Sequence, residues 1–304
     1  MPKRVKLIFN PIANLGRAWN VAAALRPIVF ELGGADWTGT VYPTHATELA
    51  RQAAEDGYEL VVAMGGDGTV HEVVNGLMMV PRERRPRLGI VPVGSGNDFA
   101  SAIGVSNRPD LALRQALSGK PHPVDVGRVT AGGGRSEYWT NAIGIGFDTL
   151  VTINSRRIPL FQGFAVYFAA VLQTILFNYV PFRLKVKTEQ DAWESDLLML
   201  VLCNGGREGG GFYVAPHARP DDGLLSFVGV NRISRLKMLM TIPRFLNGTH
   251  ENLPYIRISD FKSLELSADR PLFVHTDGEI FAGFGSNLDH LTVEVLSNEL
   301  EAVC

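Results

Sequence analysis

The stretch Met64-Gly65-Gly66-Asp67-Gly68-Thr69-Val70-His71-Glu72-Val73-Val74-Asn75-Gly76 decides how the rest of this chain is read. It follows Leu60-Val61-Val62-Ala63, an apolar run with β-branched residues suited to a buried strand. Thr69 and Glu72 have the spacing of a capping box, which predicts a helix beginning near Val70. Glycines between strand and helix let backbone amides approach a ligand, and a helix N-terminus favours an anion such as phosphate. Asp67 would repel phosphate unless a divalent cation lay between them, so the combination points to a magnesium-bound nucleotide. An ordinary tight turn between strand and helix would carry the same glycines.

Outward from this loop, strand-like and helix-like segments alternate through the first 123 residues. Val5–Phe9, Thr38–Val41, Leu60–Met64 and Leu88–Val91 read as strands. Ala18–Leu32, with Pro27 breaking or kinking it, Ala46–Asp56, Val70–Met78 and a segment from about Asp98 read as helices. Such alternation predicts a parallel sheet covered by helices. Ligands of such sheets bind outside the carboxyl ends of the strands, where Asn10–Arg17, Gly65–Thr69 and Gly94–Asp98 would lie.

After Pro121-His122-Pro123 the texture changes to short β-rich runs: Val124–Val129, Tyr138–Ile143, Arg183–Lys187, Leu197–Leu202, Leu224–Val230, Leu264–Ser267, Leu272–His275 and Leu291–Leu296. The fold class expected is α/β plus β, an N-terminal parallel α/β domain over 1–123 followed by a C-terminal antiparallel β-sandwich over 124–296. A helical insertion is expected at 159–178, and the tail at about 297–304 could pack back on the first domain. Within the insertion Phe164, Tyr167, Phe168, Val171, Leu172, Ile175 and Leu176 follow helical spacing, which predicts a core-packed helix. Its helix-compatible part, Gly163–Asn178, is shorter than the ~20 apolar residues of a membrane span.

The chain has 304 residues, enough for two domains, and a net charge of −2, which gives no global basic field for nucleic acid. Two cysteines, Cys203 and Cys304, fit a reducing compartment and exclude a disulfide framework. The seven histidines show no zinc-ligand spacing, and His275 reads as a strand residue near a turn. Met1–Asn10 lacks an apolar core long enough for a secretory signal, so a cytoplasmic location is expected.

Five motifs in order resemble those of the diacylglycerol kinase catalytic-domain family, which includes sphingosine kinases and bacterial lipid kinases. They are Asn10-Pro11 with Gly16-Arg17-Ala18; the glycine-aspartate loop with Glu72, Asn75 and Gly76; Pro92-Val93-Gly94-Ser95-Gly96-Asn97-Asp98; the run from Cys203-Asn204-Gly205 to Asp221-Asp222-Gly223-Leu224-Leu225; and Asp277-Gly278-Glu279. The resemblance implies an ATP-dependent lipid kinase using Mg²⁺, with diacylglycerol or a related lipid as substrate at the membrane surface. It also implies peripheral membrane association, with a homodimer possible, and segment 156–182 is taken as a lipid-facing wall.

By that resemblance the nucleotide contacts are Asn10, Pro11, Asn14, Thr40, Gly65, Gly66, Asp67, Gly68, Thr69, Val70, His71, Ser95, Asn97 and Asp98. Glu279 takes the proton of the lipid hydroxyl and Asp277 assists; without the family, Asp277-Gly278 reads as a type I′ hairpin turn. A structural Mg²⁺ is implied at the Asp222 carboxylate and the carbonyls of Arg219 and Leu224, where a bare hairpin turn is the alternative. Asp98 reads equally as a helix N-cap. Asn14 stands where the family often has glycine, His71 where asparagine is common, and Ser95 where threonine is frequent. The rival readings are a soluble kinase of the NAD-kinase type and a catalytically silent lipid- or nucleotide-binding regulator.

Overall fold

In the computed structural model, which describes residues 4–158 and 164–304, Val5–Phe9 forms strand β1. Then come α1 (Arg17–Glu31), which runs through Pro27, β2 (Asp36–Gly39) and α2 (His45–Glu55). After these lie β3 (Leu60–Gly65), α3 (Asp67–Met78), β4 (Arg87–Pro92), α4 (Asp98–Ala102) and α5 (Pro109–Ser118). β1 pairs in parallel with β2 and β3, and β3 with β4. Every residue of β3 is buried, as an all-apolar strand with both faces covered must be. Ala302 and Val303 from the end of the chain add a further parallel strand beside Leu88 and Gly89 of β4. The fully buried Asp125 accepts the Asn298 amide at 2.7 Å, and Arg85 meets Glu299 at 2.6 Å, fixing that tail. This compact unit comprises Met1–Val126 with Ser297–Cys304.

Two residues of the opening motif do something other than its spacing suggests. α3 begins at Asp67, three residues earlier than the capping box predicts, with Gly66 at its N-cap and no side-chain cap. Glu72 reaches instead to a different helix: its carboxylate accepts the amides of Thr44 (2.9 Å) and Ala46 (3.0 Å) at the start of α2. Thr47 donates its hydroxyl to the Glu72 carbonyl at 3.0 Å. Gly76 permits this approach, because a Cβ there would fall 2.2 Å from the Thr47 carbonyl oxygen and 2.9 Å from the Ala50 Cβ. The capping carboxylate is thus supplied from across a helix crossing, which local spacing cannot encode.

The second unit, Gly127–Leu296, is described by itself. It takes up β5 (Pro121–Ala131) beyond Val126, then β6 (Ser136–Trp139), β7 (Ala142–Gly146), α6 (Phe147–Ser155), α7 (Phe164–Phe177), β8 (Phe182–Thr188) and β9 (Ala192–Cys203). There follow β10 (Arg207–Glu208), β11 (Phe212–Tyr213), β12 (Leu225–Asn231), α8 (Arg235–Leu246), β13 (Ile256–Phe261) and β14 (Ser263–Ala268). β15 (Val274–Thr276), β16 (Glu279–Ala282) and β17 (His290–Val303), whose end is the tail strand of the first unit, complete the chain. The ladders of β9 with β7, β8 and β12 are all antiparallel. Along β9, Leu197, Leu200 and Leu202 enter one core with Trp139, Phe261 and Phe281. Leu198, Val201 and Cys203 enter a second, covered by α7 and α8. This is the β-sandwich expected, with helices on its outer layer.

Tyr138–Ile143 is not one strand: pairing stops after Trp139 and resumes at Ala142, because the intervening amides are taken by a side chain described below. Residues 159–163 of the expected insertion lie outside the described residues; 164–177 are helical, and α6 precedes them. The apolar stripe of α7 is only partly core. Val171 and Ile175 are buried, whereas Phe164 and Leu176 at the stripe's ends are exposed. Thr174 is buried instead, receiving Asn154 Nδ2 at 2.8 Å. Among the described residues no helix is long and apolar enough to cross a membrane.

Gly76→Ala should therefore destabilise the protein despite alanine's helix preference. Propensity favours alanine by ~1 kcal/mol, but overpacking against a backbone carbonyl costs up to ~3 kcal/mol. Urea unfolding should show a net loss of ~2 kcal/mol; an unchanged or raised midpoint would contradict the tight crossing.

Candidate functional site

At the carboxyl ends of β1 to β4 the expected nucleotide residues share one edge of the first sheet. Asn10 follows β1; its amide donates to the Met64 carbonyl (3.0 Å) and its side-chain oxygen accepts the Ile12 amide (3.1 Å). Pro11 opens the turn, and Asn14 adopts the left-handed conformation at φ 52, which asparagine tolerates without glycine. Thr40 donates its amide to the Phe9 carbonyl at 2.9 Å just past β2. Asp67, Gly68 and Thr69 form the first turn of α3, where the Thr69 amide donates back to the Gly66 carbonyl at 3.0 Å. Thr69 and Val70 are buried.

The glycines here are demanded by close approach. A Cβ on Gly65 would fall 2.2 Å from the Thr69 hydroxyl oxygen, and one on Gly94 would fall 2.3 Å from the Gly66 Cα. Backbone thus lies on backbone between the β3–α3 turn and the β4–α4 loop. Asp67 locks them: Oδ2 accepts the Asn97 amide at 2.7 Å and Oδ1 the Asp98 amide at 2.8 Å. Asn97, left-handed at φ 54, closes the loop on itself through its side chain, accepting from the Gly94 amide (3.0 Å) and donating to the Gly94 carbonyl (3.1 Å). Ser95 is exposed at the loop's tip.

Asp98 is not an N-cap; Asn97 holds that position and Asp98 is the first residue of α4, buried. A Cβ on Gly96 would lie 2.8 Å from Asp67 Oδ2 and 3.2 Å from Asp98 Oδ2. Two carboxylate oxygens therefore converge on one small space beside a helix N-terminus, a hard-oxygen set that fits Mg²⁺. His71 sits one turn further into α3. It is buried, and its ring meets Asn75 Nδ2 at 3.3 Å, one turn further along α3.

In the second unit, Asp277-Gly278 is the two-residue turn between β15 and β16, with φ 50 and 84 and Thr276 opposite Glu279. The Asp277 carboxylate accepts three amides: Thr140 on Oδ2 at 2.9 Å, Asn141 and Ala142 on Oδ1 at 2.8 and 3.1 Å. This is the side chain that interrupts the strand at Thr140-Asn141. Glu279 is half-exposed and its Oε2 pairs with Arg156 Nη2 at 2.8 Å, while the same nitrogen donates to the Gly278 carbonyl at 2.7 Å.

Beneath the turn lies a buried hub that sequence reasoning missed. His275, fully buried, accepts the Gly278 amide on Nδ1 at 3.2 Å, so Nε2 carries the hydrogen and points to Asp148 Oδ2 (2.8 Å) and Glu208 Oε1 (3.3 Å). These three donor groups sit within 4.8 Å of one another, but with Nδ1 facing an N–H the set is a hydrogen-bonded hub and not a metal cage. Tyr167 donates to Asp148 Oδ1 at 3.0 Å, and burial together with Asp148 and Glu208 pushes its phenol well above the ordinary range. The signal was Gly144 inside a strand, where a Cβ would lie 2.0 Å from Asp148 Oδ2 and 2.2 Å from His275 Nε2. Asp148 and Glu208 also border a small apolar pocket of about 40 Å³ lined by Phe147, Tyr167, Phe212 and Met238.

The expected structural metal site lies in the loop before β12. Asp222 Oδ1 accepts the Leu224 amide at 3.0 Å, Gly223 has φ 74, and the Arg219 guanidinium pairs with Asp221 at 3.2 Å. The turn is not a hairpin, since β12 pairs with β9 and β13.

The family model of the diacylglycerol kinase catalytic domain matches residues 4–129, and that of the YegS C-terminal NAD kinase beta sandwich-like domain matches residues 141–301. A Chromohalobacter salexigens relative named "Probable lipid kinase YegS-like" is 37% identical over 234 residues, covering 76% of this chain and 73% of its own. The Bacillus subtilis diacylglycerol kinase is 27% identical over 284 residues, covering 91% and 90%. Among solved structures, that of a presumed diacylglycerol kinase from Bacillus anthracis superposes with a TM-score of 0.81 at 26% identity, covering 99% of this chain and 95% of that one.

The two carboxylates of the β15–β16 turn should separate by stability. Asp277→Asn, which sets an NH₂ group against amides, should lower stability by ~1–3 kcal/mol in urea. Glu279→Gln breaks only a half-exposed ion pair and should cost under ~1 kcal/mol. Equal effects would show that Asp277 does not hold the 140–142 segment.

Proposed function

Because the chain belongs to the diacylglycerol kinase catalytic-domain family, we propose that it is a lipid kinase transferring the γ-phosphate of ATP to the hydroxyl of diacylglycerol or a related lipid. The observation that carries this reading is the convergence of Asp67 and Asp98 beside the α3 N-terminus, where two loops are locked backbone to backbone. Phosphoryl transfer asks mainly for positioning and charge neutralisation, which such a rigid set supplies.

In this reading the glycine-rich turn at the start of α3 and the Thr69 hydroxyl donate to phosphate oxygens, while Asn10, Pro11, Asn14, Thr40 and Ser95 border the nucleotide. Asp67 and Asp98 would hold Mg²⁺, which when bound neutralises the phosphates. Glu279 accepts the proton of the lipid hydroxyl. Arg156, engaging Oε2 and the Gly278 carbonyl, orients Oε1 toward that hydroxyl. Asp277 and the His275 hub hold the turn from below and do not touch substrate. The apolar lining under α7 and α8 is the surface assigned to the acyl part of the lipid, in line with a lipid-facing role for the helical part of 156–182. Asp222 with the Arg219 and Leu224 carbonyls would hold a second, structural Mg²⁺ that stiffens the loop before β12.

Radiolabelled ATP with diacylglycerol in detergent micelles should yield a labelled, acidic lipid. Glu279→Gln should lower kcat by ~100-fold or more, and Asp98→Asn should raise the half-saturating Mg²⁺ concentration by ~10-fold or more. No labelled lipid from the wild-type protein, or full activity of Glu279→Gln, would sink this reading.

A further inference from the structure

Helices α7 and α8 turn their inner faces to the pocket and leave large apolar side chains outside. Leu176, Phe177 and Val180 at the end of α7 are 54%, 75% and 50% exposed, and Leu236 and Met240 on α8 are 68% and 70% exposed. On α8 the inward positions are Met238, Thr241, Ile242 and Phe245, so Leu236 and Met240, one turn apart, form the opposite stripe. The two helices are tied at this corner. The Tyr179 hydroxyl donates to the Ile233 carbonyl at 3.1 Å, and the Arg235 guanidinium carbon lies 6.0 Å from the Tyr179 ring centre. The exposed end of α7 therefore abuts the first turn of α8.

The charge carried by α8 itself has one sign, and the Asp196 carboxylate stands beside Arg232 just before it. Between Asn231 and His250 the chain carries Arg232, Arg235, Lys237 and Arg244 and no acidic residue, and between Ile158 and Phe182 it carries no charge. In a protein of net charge −2 this is a local concentration, not a bulk property. Apolar side chains on an outward helix stripe flanked by basic residues match the requirements of an anionic bilayer interface: burial of the apolar stripe among acyl chains, with cations at the phosphate level.

We propose that the outer face of the α7–α8 corner, centred on Leu236, Met240, Arg235 and Lys237, docks the protein on anionic bilayer surfaces. The docking does not depend on nucleotide; it deepens the lipid-kinase reading and rests on it only for the purpose it serves. Because α8 lines the lipid pocket with its inner face, a bilayer against its outer face lies one helix diameter from the pocket.

The test uses the full chain without nucleotide and sucrose-loaded vesicles of phosphatidylcholine alone or mixed equally with phosphatidylglycerol. The wild-type protein should sediment with the mixed vesicles, and salt should weaken the binding. Each basic residue near the surface contributes roughly fivefold, so Arg235→Glu with Lys237→Glu should weaken partition at least tenfold. Leu236→Ser with Met240→Ser should do likewise, with thermal melts confirming that both variants fold. Both should still phosphorylate a short-chain diacylglycerol in micelles. Equal binding to both vesicle types, or variants that partition like wild type, would overturn the docking proposal. So would loss of a lipid-free dimer in the variants, which would assign the face to a second copy. Vesicle binding without any lipid phosphorylation would overturn the kinase reading alone.

Discussion

The carboxylate of Asp67 accepts the backbone amides of two successive residues, Asn97 and Asp98, thirty positions further along the chain, and the loops at the carboxyl ends of β3 and β4 are placed by that contact. Both oxygens are engaged, so the carboxylate cannot rotate without losing a charge-assisted bond. The contact draws the β4–α4 loop onto the β3–α3 turn until only glycine fits at Gly66 and Gly94. A carboxylate has roughly four lone-pair positions, so two amides leave room for a cation on the same group. Holding the loop and holding a metal are compatible demands on one side chain.

The device recurs. Asp277 gathers the amides of Thr140, Asn141 and Ala142, and Glu72 gathers those of Thr44 and Ala46. In each case the amides lie where regular pairing stops, at a helix start or a strand break, and would otherwise be orphaned. An ionised carboxylate is the strongest acceptor the chain has for them. Acidic residues that look reserved for chemistry thus first determine where loops sit, whereas Glu279 is held by the half-exposed Arg156 guanidinium.

The parallel order of the first unit and the antiparallel second one were legible because apolar periodicity and strand-helix alternation are local signals. Leu60–Gly65 is a buried strand for the same reason that Leu60-Val61-Val62-Ala63 reads as one. What was not legible came from long-range partners. The capping box at Thr69 and Glu72 failed because the carboxylate found amides on another helix, 26 and 28 residues away. Tyr138–Ile143 was read as one strand because nothing in those six letters announces Asp277. The stripe on α7 was counted as core at both ends, although Leu176 lies beyond the reach of its neighbours and a threonine is buried instead. In the candidate site the motif residues at the strand ends were identifiable, whereas the hub of His275, Asp148 and Glu208 was not, its members being up to 127 residues apart.

The tail strand has a consequence for how the protein is made. Ala302 and Val303 cover the edge of β4, yet each is synthesised 214 positions after the residue it pairs with. At ~5–20 residues per second, the ~180 residues from Val126 to Val303 take on the order of ten to thirty-five seconds to synthesise. Through that interval the first unit presents a bare strand edge, the kind of surface on which chains pair wrongly. Completion of the first unit's sheet is thereby tied to synthesis of the second unit. A ribosome that stalls anywhere in the second half releases a first unit with an open edge, marked for aggregation or removal.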